Sequence, residues 1–252
     1  MNTKLKIVAE ELSGWIRAQV EEASAAGVVL GMSGGLDSSV VAVLCKYACP
    51  NNTLGLILPC RSDPEDIKHV KLVTDKFDIE TRTIDVSPVF AAVIETLEAA
   101  ADTVKGDIAI SNLKPRLRML FLYYFANKRN YLVVGTGNKS ELMIGYYTKY
   151  GDGGVDILPL GDFLKTEVKA LAHSLGIPKA IIDKPPSAGL WAGQTDESEI
   201  GMSYEELDTV LNAIESTDFA GCDRDKVEQV QKKIETTAHK RNTPPVAYLR
   251  SI

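Results

Sequence analysis

Apolar positions in the first half of the chain follow two alternating spacings. Over residues 5–24 they recur every three or four residues, which predicts an amphipathic helix. After Gly27 come short, largely apolar runs that predict strands, and stretches with helical spacing lie between them. The predicted strands are 28–31, 54–59, 80–86 and 131–135, and the predicted helices between them run through 40–47 and over 64–77, 88–101 and 116–128.

Buried strands separated by helices are typical of a parallel sheet with helices on both faces. The pattern therefore predicts an α/β protein of the doubly wound, Rossmann-like type, in which ligands bind beyond the carboxyl ends of the strands. From Thr136 onward, glycine and proline residues interrupt the pattern and predict long loops between short helices. Helical spacing returns over 223–238, and a cationic turn at 239–241 and a rigid turn at Pro244-Pro245 are predicted after it.

Composition narrows the class of protein. The chain has 252 residues, 45% of them hydrophobic, as in an ordinary folded protein. No apolar run is long enough to cross a bilayer, and the N-terminus lacks the pattern of a signal peptide. Four cysteines without a C-x-x-C pair indicate buried thiols in a reducing cytoplasm. The net charge of −6 argues against broad nucleic-acid binding, so an anionic ligand would need local cations and backbone N–H groups.

The stretch Gly31-Met32-Ser33-Gly34-Gly35-Leu36-Asp37-Ser38-Ser39 lies between a predicted strand and a predicted helix. Its adjacent glycines let the backbone approach a ligand, its hydroxyls add donors, and the start of the helix favours an anion. A carboxylate at Asp37 fits such a site if a divalent cation lies between it and a phosphate. A tight turn followed by a helix cap is the simpler interpretation, and a short motif alone does not decide. The chain has no G-x-x-x-x-G-K-[ST] pattern, and no G-x-G-x-x-G pattern follows the first strand.

Ser33-Gly34-Gly35-Leu36-Asp37-Ser38 resembles the SGGxDS pyrophosphate loop of the N-type ATP pyrophosphatases, which split ATP into AMP and pyrophosphate. Further segments narrow the resemblance, namely residues 112–119, 135–141, 145–156, 158–160, 165–168 and 198–204. With the loop and the run at 239–241, they are similar to the NAD synthetase family over most of the chain. The resemblance implies an adenine nucleotide alpha-hydrolase-like fold in a single domain over residues 1–252. It implies no glutaminase domain, because the loop begins at residue 31 after one helix.

The resemblance also implies roles for individual residues. It assigns Mg²⁺ to Asp37 and Glu141, and catalytic roles to Lys165, at the ATP phosphates, and to Asp152, which would handle a proton of the incoming ammonia. The implied ATP contacts are Gly31, Met32, Ser33, Gly34, Gly35, Leu36, Asp37, Ser38, Thr136, Lys165 and Ser187. The implied deamido-NAD⁺ contacts are Arg116, Lys149, Asp156, His239 and Lys240. The alternatives are a solvated helix surface for Glu141 and Lys165, a loop cap for Ser187, a turn for Asp152 and a solvated charge run for 239–241.

The reaction that the resemblance implies is the final step of NAD⁺ biosynthesis. A C–N ligase would use ATP and ammonia to convert deamido-NAD⁺ (nicotinic acid adenine dinucleotide) into NAD⁺, AMP and diphosphate through an acyl-adenylate. The implied cofactor is Mg²⁺, the implied assembly is a homodimer and the implied location is the cytoplasm, with neither nucleic acid nor a membrane as partner. Two alternatives stay open: a related ligase acting on tRNA or another acid, and an adenine-nucleotide sensor without catalytic activity.

Overall fold

The computed structural model describes residues 3–98, 108–189 and 193–247. Its strands are β1 Gly27–Gly31, β2 Thr53–Ile57, β3 Glu80–Thr83 and β4 Tyr131–Val134. The longer helices are α1 Thr3–Glu22, α2 Leu36–Ala48, α3 Pro64–Phe77, α4 Ser87–Glu98, α6 Leu113–Arg129, α8 Lys165–Leu175, α11 Tyr204–Ser216 and α12 Arg224–Thr236. The short helices are α5 Ile108–Ser111, α7 Lys139–Ile144, α9 Lys179–Ile182, α10 Asp196–Ile200 and α13 Ala238–Arg241. None of the described helices is both long and apolar enough to cross a membrane.

The four strands form one parallel sheet in the order β3-β2-β1-β4. Val29 of β1 is level with Leu54 of β2 on one side and with Val133 of β4 on the other. The chain moves outward from β1 to β3 and then crosses back past β1 to β4. Because the order of the strands reverses there, a crevice opens beyond the carboxyl ends of β1 and β4. This parallel α/β sheet confirms the predicted fold class.

Helices cover both faces of the sheet, as the apolar strands predicted. Val28 and Leu30 of β1 pack in one apolar core with α1, α2 and α8, whereas Val29 packs in a second core with α4 and α6. A third core contains no strand residue and lies between α7, α11 and α12, where Leu207 and Leu211 are fully buried. The third core therefore packs helices of the second half of the chain together, beside the crevice.

Strand β3 is shorter than predicted and mostly exposed, because it forms the edge of the sheet and has a single neighbour. It ends at Thr83, although the backbone N–H groups of Ile84 and Val86 still donate to the carbonyls of Ile57 and Pro59. The chain therefore follows β2 up to residue 86 without forming a regular strand over that length.

Two other regions are more helical than predicted. The region of predicted loops and short helices includes α11, which has 13 residues and packs its apolar stripe into the third core. The cationic run at 239–241 lies in α13 and is not a turn, and Arg241 donates to the Leu142 carbonyl and to the hydroxyl of Thr237. Ala101, the predicted end of the helix from Pro88, lies outside the described residues.

Candidate active site

A cleft of about 870 Å³ opens at the crevice beyond β1 and β4. Most of the predicted site residues line it, although they come from distant parts of the chain. They are Gly31, Met32, Ser33, Gly35, Leu36, Asp37, Ser38, Arg116, Thr136, Glu141, Lys149, Asp152, Lys165, Ser187, His239 and Lys240. The remaining two, Gly34 and Asp156, lie outside its lining.

The loop from β1 to α2 is held in shape by its own polar groups. The hydroxyls of Ser33 and Ser38 lie 3.0 Å apart, and the Gly35 N–H donates to Ser33 Oγ at 3.2 Å. Gly34 has a φ of +78°, and a Cβ there would come within 2.4 Å of the carbonyl oxygen of Asp66 in α3. Glycine is therefore needed at 34 both for the left-handed backbone and for the close approach to α3. This packing explains why Gly34 faces α3 and not the cleft.

Lys165 lies between two carboxylates. Its ammonium is 2.5 Å from Asp37 Oδ2 and 3.1 Å from Glu141 Oε1, and it lies 4.9 Å from the centre of the Tyr204 ring. Asp37 comes from the first turn of α2, Glu141 from α7 and Lys165 from the first turn of α8. The three side chains are only 15%, 17% and 10% exposed, so solvent and salt screen these ion pairs weakly.

Burial and mutual charge set the protonation of this cluster. Burial raises the pKa of Glu141 to about 7, although the Lys165 ammonium opposes the rise. Burial alone would lower the pKa of Lys165, but the charges of Asp37 and Glu141 outweigh it and raise that pKa. Lys165 therefore stays an ammonium, whereas burial makes Glu141 a weaker acid than an exposed glutamate.

Asn138 orients both carboxylates. Its side-chain oxygen accepts from the Glu141 N–H at 3.0 Å, and the Glu141 carboxylate accepts from the Asn138 N–H at 3.3 Å, which forms a capping box at the start of α7. The Asn138 amide also donates to Asp37 Oδ1 at 3.1 Å. Because Asn138 is fully buried, one fixed side chain sets the positions of both acids.

A second group of polar side chains surrounds the cluster. Asp196 accepts hydrogen bonds from the hydroxyls of Tyr146 and Tyr204, each at 3.1 Å. The Tyr204 hydroxyl also lies 3.4 Å from Glu141 Oε1. Burial raises the pKa of Asp196, while Lys165 and the two hydroxyls act against the rise. This wall of the cleft thus carries three acids around one ammonium.

Asp152 lies between the main cleft and a smaller cavity of about 50 Å³. Its Oδ1 accepts from the Thr148 N–H at 2.9 Å. The side chain is open to the cleft, but protein surrounds the carboxyl elsewhere and this desolvation raises its pKa, against the Thr148 hydrogen bond and the charges of Lys240 and Arg118. The smaller cavity is also lined by Thr136, Gly137, Glu141, Leu142, Tyr147, Gly153 and Leu158.

The cations of α13 meet the loop that follows α7. Lys240 Nζ donates to the carbonyls of Gly145 and Tyr147, each at 2.7 Å, and lies over the Tyr147 ring. Lys149 Nζ donates to the carbonyl of His239 at 2.5 Å. The run at 239–241 is therefore anchored beside the cleft and is not a free solvated tail.

Asp156 ties its own loop to the sheet. Its Oδ2 accepts from the Val133 N–H at 2.7 Å, and its Oδ1 accepts from the Tyr123 hydroxyl at 2.9 Å. Both oxygens thus have partners within the chain, outside the cleft lining. The contact between Asp156 and deamido-NAD⁺ stays a prediction.

Sequence reasoning missed Asn138, Asp196 and Arg118. Arg118 lines the cleft and donates through Nε to the Leu58 carbonyl at 3.1 Å. Asn138 did carry a sequence signal, because an Asn followed three residues later by Glu, just after a predicted strand, is a capping pattern. Asp196 and Arg118 carried none, since their roles depend on partners from other elements.

Asp37 and Glu141 are the side chains best placed to hold a metal ion. Within residues 3–98, 108–189 and 193–247, no group of three or more His, Cys, Asp or Glu side chains is arranged as a metal site. A pair of carboxylates leaves coordination positions for waters and ligand oxygens, which suits magnesium and not a structural zinc ion.

The chain is similar to known proteins over nearly its whole length. Residues 8–244 match the family model described as NAD synthase. The NH(3)-dependent NAD(+) synthetase of Syntrophomonas wolfei is 46% identical over 244 residues, 96% of each chain. The structure of NMN synthetase from Francisella tularensis has 34% identity and a TM-score of 0.88, covering 98% of this chain and 99% of its own. The NH3-dependent NAD synthetase from Campylobacter jejuni, in complex with the nitrate ion, has 28% identity and a TM-score of 0.84, covering 98% and 100%.

The match runs through both halves of the cleft, from the loop after β1 to α13. The chain therefore belongs to the NAD synthase family.

Proposed function

We propose that this protein forms NAD⁺ from deamido-NAD⁺, ammonia and ATP, and releases AMP and diphosphate. The observation that carries the proposal is the position of Lys165, which lies between Asp37 and Glu141 in the cleft that the loop at 31–38 also lines. An adenylating step needs an anion-binding backbone, a cationic side chain and acids that can hold a divalent ion. The relatives named NH(3)-dependent NAD(+) synthetase support the choice of substrates.

The chemistry takes two steps, because a free carboxylate would have to expel oxide when ammonia attacks it. A nicotinate oxygen first attacks the α-phosphorus of ATP, the bond to the bridging oxygen breaks and diphosphate leaves. The ammonia nitrogen then attacks the acyl carbon, the bond to the AMP oxygen breaks, and the nitrogen loses one proton to a base. Holding the reactants in the right geometry can contribute about 7–11 kcal/mol to such reactions.

The loop at 31–38 and the start of α2 are the proposed phosphate site. Gly35, the N-cap residue of α2, provides no side-chain cap, so N–H groups of the first turn can bind an anion. Thr136 and Ser187 line the same cleft and would add hydroxyl donors. Lys165 would shift from the carboxylates toward the phosphates and supply charge as diphosphate leaves.

The pair Asp37 and Glu141 fits a magnesium ion. Their oxygens contact one ammonium, so they already converge on a point of positive charge. Proteins hold magnesium with one or two carboxylates together with substrate phosphates and waters. Bound there, Mg²⁺ would neutralise negative charge on the leaving diphosphate.

Asp152 is the proposed acceptor for a proton of the ammonia. The cavity of about 50 Å³ beside it is large enough for a molecule the size of ammonia or water, since a liquid water molecule occupies about 30 Å³. The raised pKa of Asp152 makes its carboxylate a better base than an aspartate with the ordinary pKa of 3.8. Free ammonia is the proposed nitrogen source, and the relatives named NH(3)-dependent NAD(+) synthetase support it over glutamine.

Nicotinate mononucleotide is a second candidate substrate. The solved structure from Francisella tularensis, which shares the fold over nearly the whole chain, is named an NMN synthetase. The carboxylate activated would be the same, and the cations near the cleft, including Arg116, Lys149 and Lys240, suit the phosphate of either nucleotide. The two substrates differ only in the adenylyl half.

A homodimer is proposed on the outer face of α6. Leu120 and Tyr124 lie one helical turn apart there and are 59% and 56% exposed. Grouped exposed apolar side chains favour an interface over a solvated surface. The proposed cytoplasmic location is supported by the four cysteines, all of which are free thiols.

The products test the proposed reaction. Purified protein with Mg-ATP, ammonium and deamido-NAD⁺ should yield NAD⁺, AMP and diphosphate in equal amounts, whereas nicotinate mononucleotide should turn over more slowly and glutamine should not replace ammonium. Formation of ADP and phosphate would contradict adenylation. Binding of ATP without diphosphate release on addition of either nucleotide would favour the sensor. Faster turnover of the mononucleotide would favour the second candidate.

Replacement of Lys165 tests the magnesium site. In the presence of a chelator, Lys165→Met should lose roughly 3–5 kcal/mol of unfolding free energy, because two carboxylates that are only 15% and 17% exposed lose their counter-ion. Added Mg²⁺ should restore part of that stability in denaturant titrations, because it would bind the same oxygens.

The matched control is Lys139→Met, which also removes a lysine between two acids. Its partners Asp162 and Glu215 are 93% and 45% exposed, so we expect a loss of about 1 kcal/mol or less and no response to Mg²⁺. Failure of Mg²⁺ to restore stability to Lys165→Met, or an equal gain in Lys139→Met, would contradict the magnesium assignment.

Asp152→Asn should separate the two chemical steps. The variant should keep deamido-NAD⁺-dependent exchange of diphosphate into ATP, while NAD⁺ formation falls by about 10²–10⁴-fold through loss of the base. Because the folded-state pKa of Asp152 is raised above its ordinary 3.8, ionising it weakens folding as pH rises through that interval. The variant should therefore be at least as stable as the wild type at pH 7, and its advantage should shrink at acid pH. Wild-type NAD⁺ formation would remove Asp152 from the mechanism, and Asp162→Asn is the exposed control.

Charge on the outer face of α6 should disrupt the proposed dimer. Leu120→Glu and Tyr124→Glu should sediment as monomers at concentrations where the wild type is dimeric, with unchanged circular dichroism because both positions are exposed. Leu72→Glu on α3, which is 47% exposed, is the matched control and should stay dimeric. A monomeric wild type would rule out the dimer.

A further inference from the structure

We infer that Asp208 is a positioning residue that fixes the positions of Lys165 and Glu141 relative to each other. The inference rests on the proposed function only for the catalytic meaning of those two side chains. Asp208 lies on α11, outside the cleft lining, and its carboxylate touches the beginnings of both α7 and α8.

Helix α8 has no side-chain cap for its first N–H groups. Its N-cap residue is Leu164, whose side chain cannot accept a hydrogen bond, and Glu167 of the helix accepts only from the Leu164 N–H, at 2.9 Å. The first N–H groups of a helix have no partner within the helix, so α8 needs acceptors from elsewhere. The Lys165 N–H donates to Ser140 Oγ at 2.9 Å, and the Thr166 N–H donates to Asp208 Oδ2 at 2.9 Å.

Ser140 links the second helix to the same carboxylate. Its hydroxyl accepts from the Lys165 N–H and donates to Asp208 Oδ1 at 2.5 Å. Ser140 precedes Glu141 in α7, and Lys165 is the first residue of α8. One carboxylate therefore holds the residue beside Glu141 and the backbone of Lys165 through a relay of two hydrogen bonds.

Both groups that face Asp208 donate a hydrogen bond to it, and this explains why an acid occupies position 208. Both backbone groups are donors, and the Ser140 hydroxyl uses its proton toward Asp208, so both oxygens at 208 must accept. An asparagine there would turn an N–H₂ group toward one of these donors and leave it without an acceptor. A carboxylate accepts from Thr166 and from Ser140 together, with the Ser140 hydroxyl in the orientation that the structure shows.

The burial of Asp208 argues that this arrangement is specific. Asp208 is 3% exposed and Ser140 is fully buried, and Asp208 lies on the buried stripe of α11 with Leu207 and Leu211. Among the described residues, no Lys, Arg or His lies within ion-pair distance of it. A buried charge held by hydrogen bonds alone is costly where an apolar residue would pack, so packing of the third core does not account for it.

Helix α11 also reaches the site through Tyr204, its first residue, whose hydroxyl lies 3.4 Å from Glu141. Asp208 lies one helical turn further along. The same helix thus contacts the carboxyl end of Glu141 and the backbone that carries Lys165. Loss of Asp208 would leave the cleft intact but let α7 and α8 shift against each other.

The test compares Asp208→Asn with Val210→Ala in the whole protein. Val210 is on the same helix, 3% exposed, and packs only in the third core. Asp208→Asn should lower kcat for NAD⁺ formation by about 10- to 100-fold, because small displacements of reacting groups have effects of this size. KM for deamido-NAD⁺ should stay within about twofold, since the nucleotide contacts are elsewhere. Val210→Ala should lower the melting temperature by a few degrees without lowering kcat.

Hydrogen exchange gives a readout that does not depend on the reaction. Amides at 164–168 should exchange about tenfold faster in Asp208→Asn than in the wild type and at the wild-type rate in Val210→Ala. The asparagine leaves without an acceptor either the Thr166 N–H or the Ser140 hydroxyl that holds the Lys165 N–H, and either loss loosens the start of α8. Ser140→Ala removes the relay hydroxyl and serves as the second variant if Asp208→Asn does not fold. The double variant with Asp208→Asn and Ser140→Ala should have a kcat no lower than that of the less active single variant, since both substitutions act through one network.

Wild-type kcat and exchange in Asp208→Asn would overturn the inference, as would an equal loss of kcat in Val210→Ala. A wild type that makes no NAD⁺ would instead overturn the proposed function. In that case the exchange rates of the two variants still decide whether Asp208 positions α7 and α8.

Discussion

The charge balance around Lys165 is the constraint on which the rest of the site depends. Two acids contact its ammonium in a wall with little exposure to solvent, where an uncompensated charge would be strongly destabilising. One cation can serve both acids only if the beginnings of α2, α7 and α8 meet at a point. The sheet order β3-β2-β1-β4 provides that meeting, because it puts β1 beside β4 and brings the segments after each strand together.

The features that were predictable from the sequence are those determined by local spacing and backbone chemistry. Apolar runs predicted the parallel sheet, and adjacent glycines with serines predicted a ligand-binding loop at 31–38. Glycine at 34 has a second reason that the sequence does not contain, the carbonyl of Asp66 in α3. The partners of Lys165 were predicted as separate roles, through family resemblance, and their direct contact was not.

The misses have a common physical cause. β3 was predicted to 86, but an edge position exposes most of its residues and ends regular pairing at Thr83. Asp196 and Asp208 look like surface acids in a helical pattern, and only tertiary neighbours show that both are buried. Asp208 even stands at the helical spacing of Leu207 and Leu211, so a polar residue on an apolar stripe was the available sign.

The position of Lys165 in the chain has a consequence for biosynthesis. It follows Asp37 by 128 residues, whereas the loop at 31–38 can close through hydrogen bonds among its own neighbours. As the chain emerges from the ribosome, the phosphate loop can therefore form long before its counter-ion is made. Until α8 has packed against α2, Asp37 does not have Lys165 beside it. Contacts of such long sequence separation form late in folding, so completion of this ion pair reports that both halves of the protein have come together.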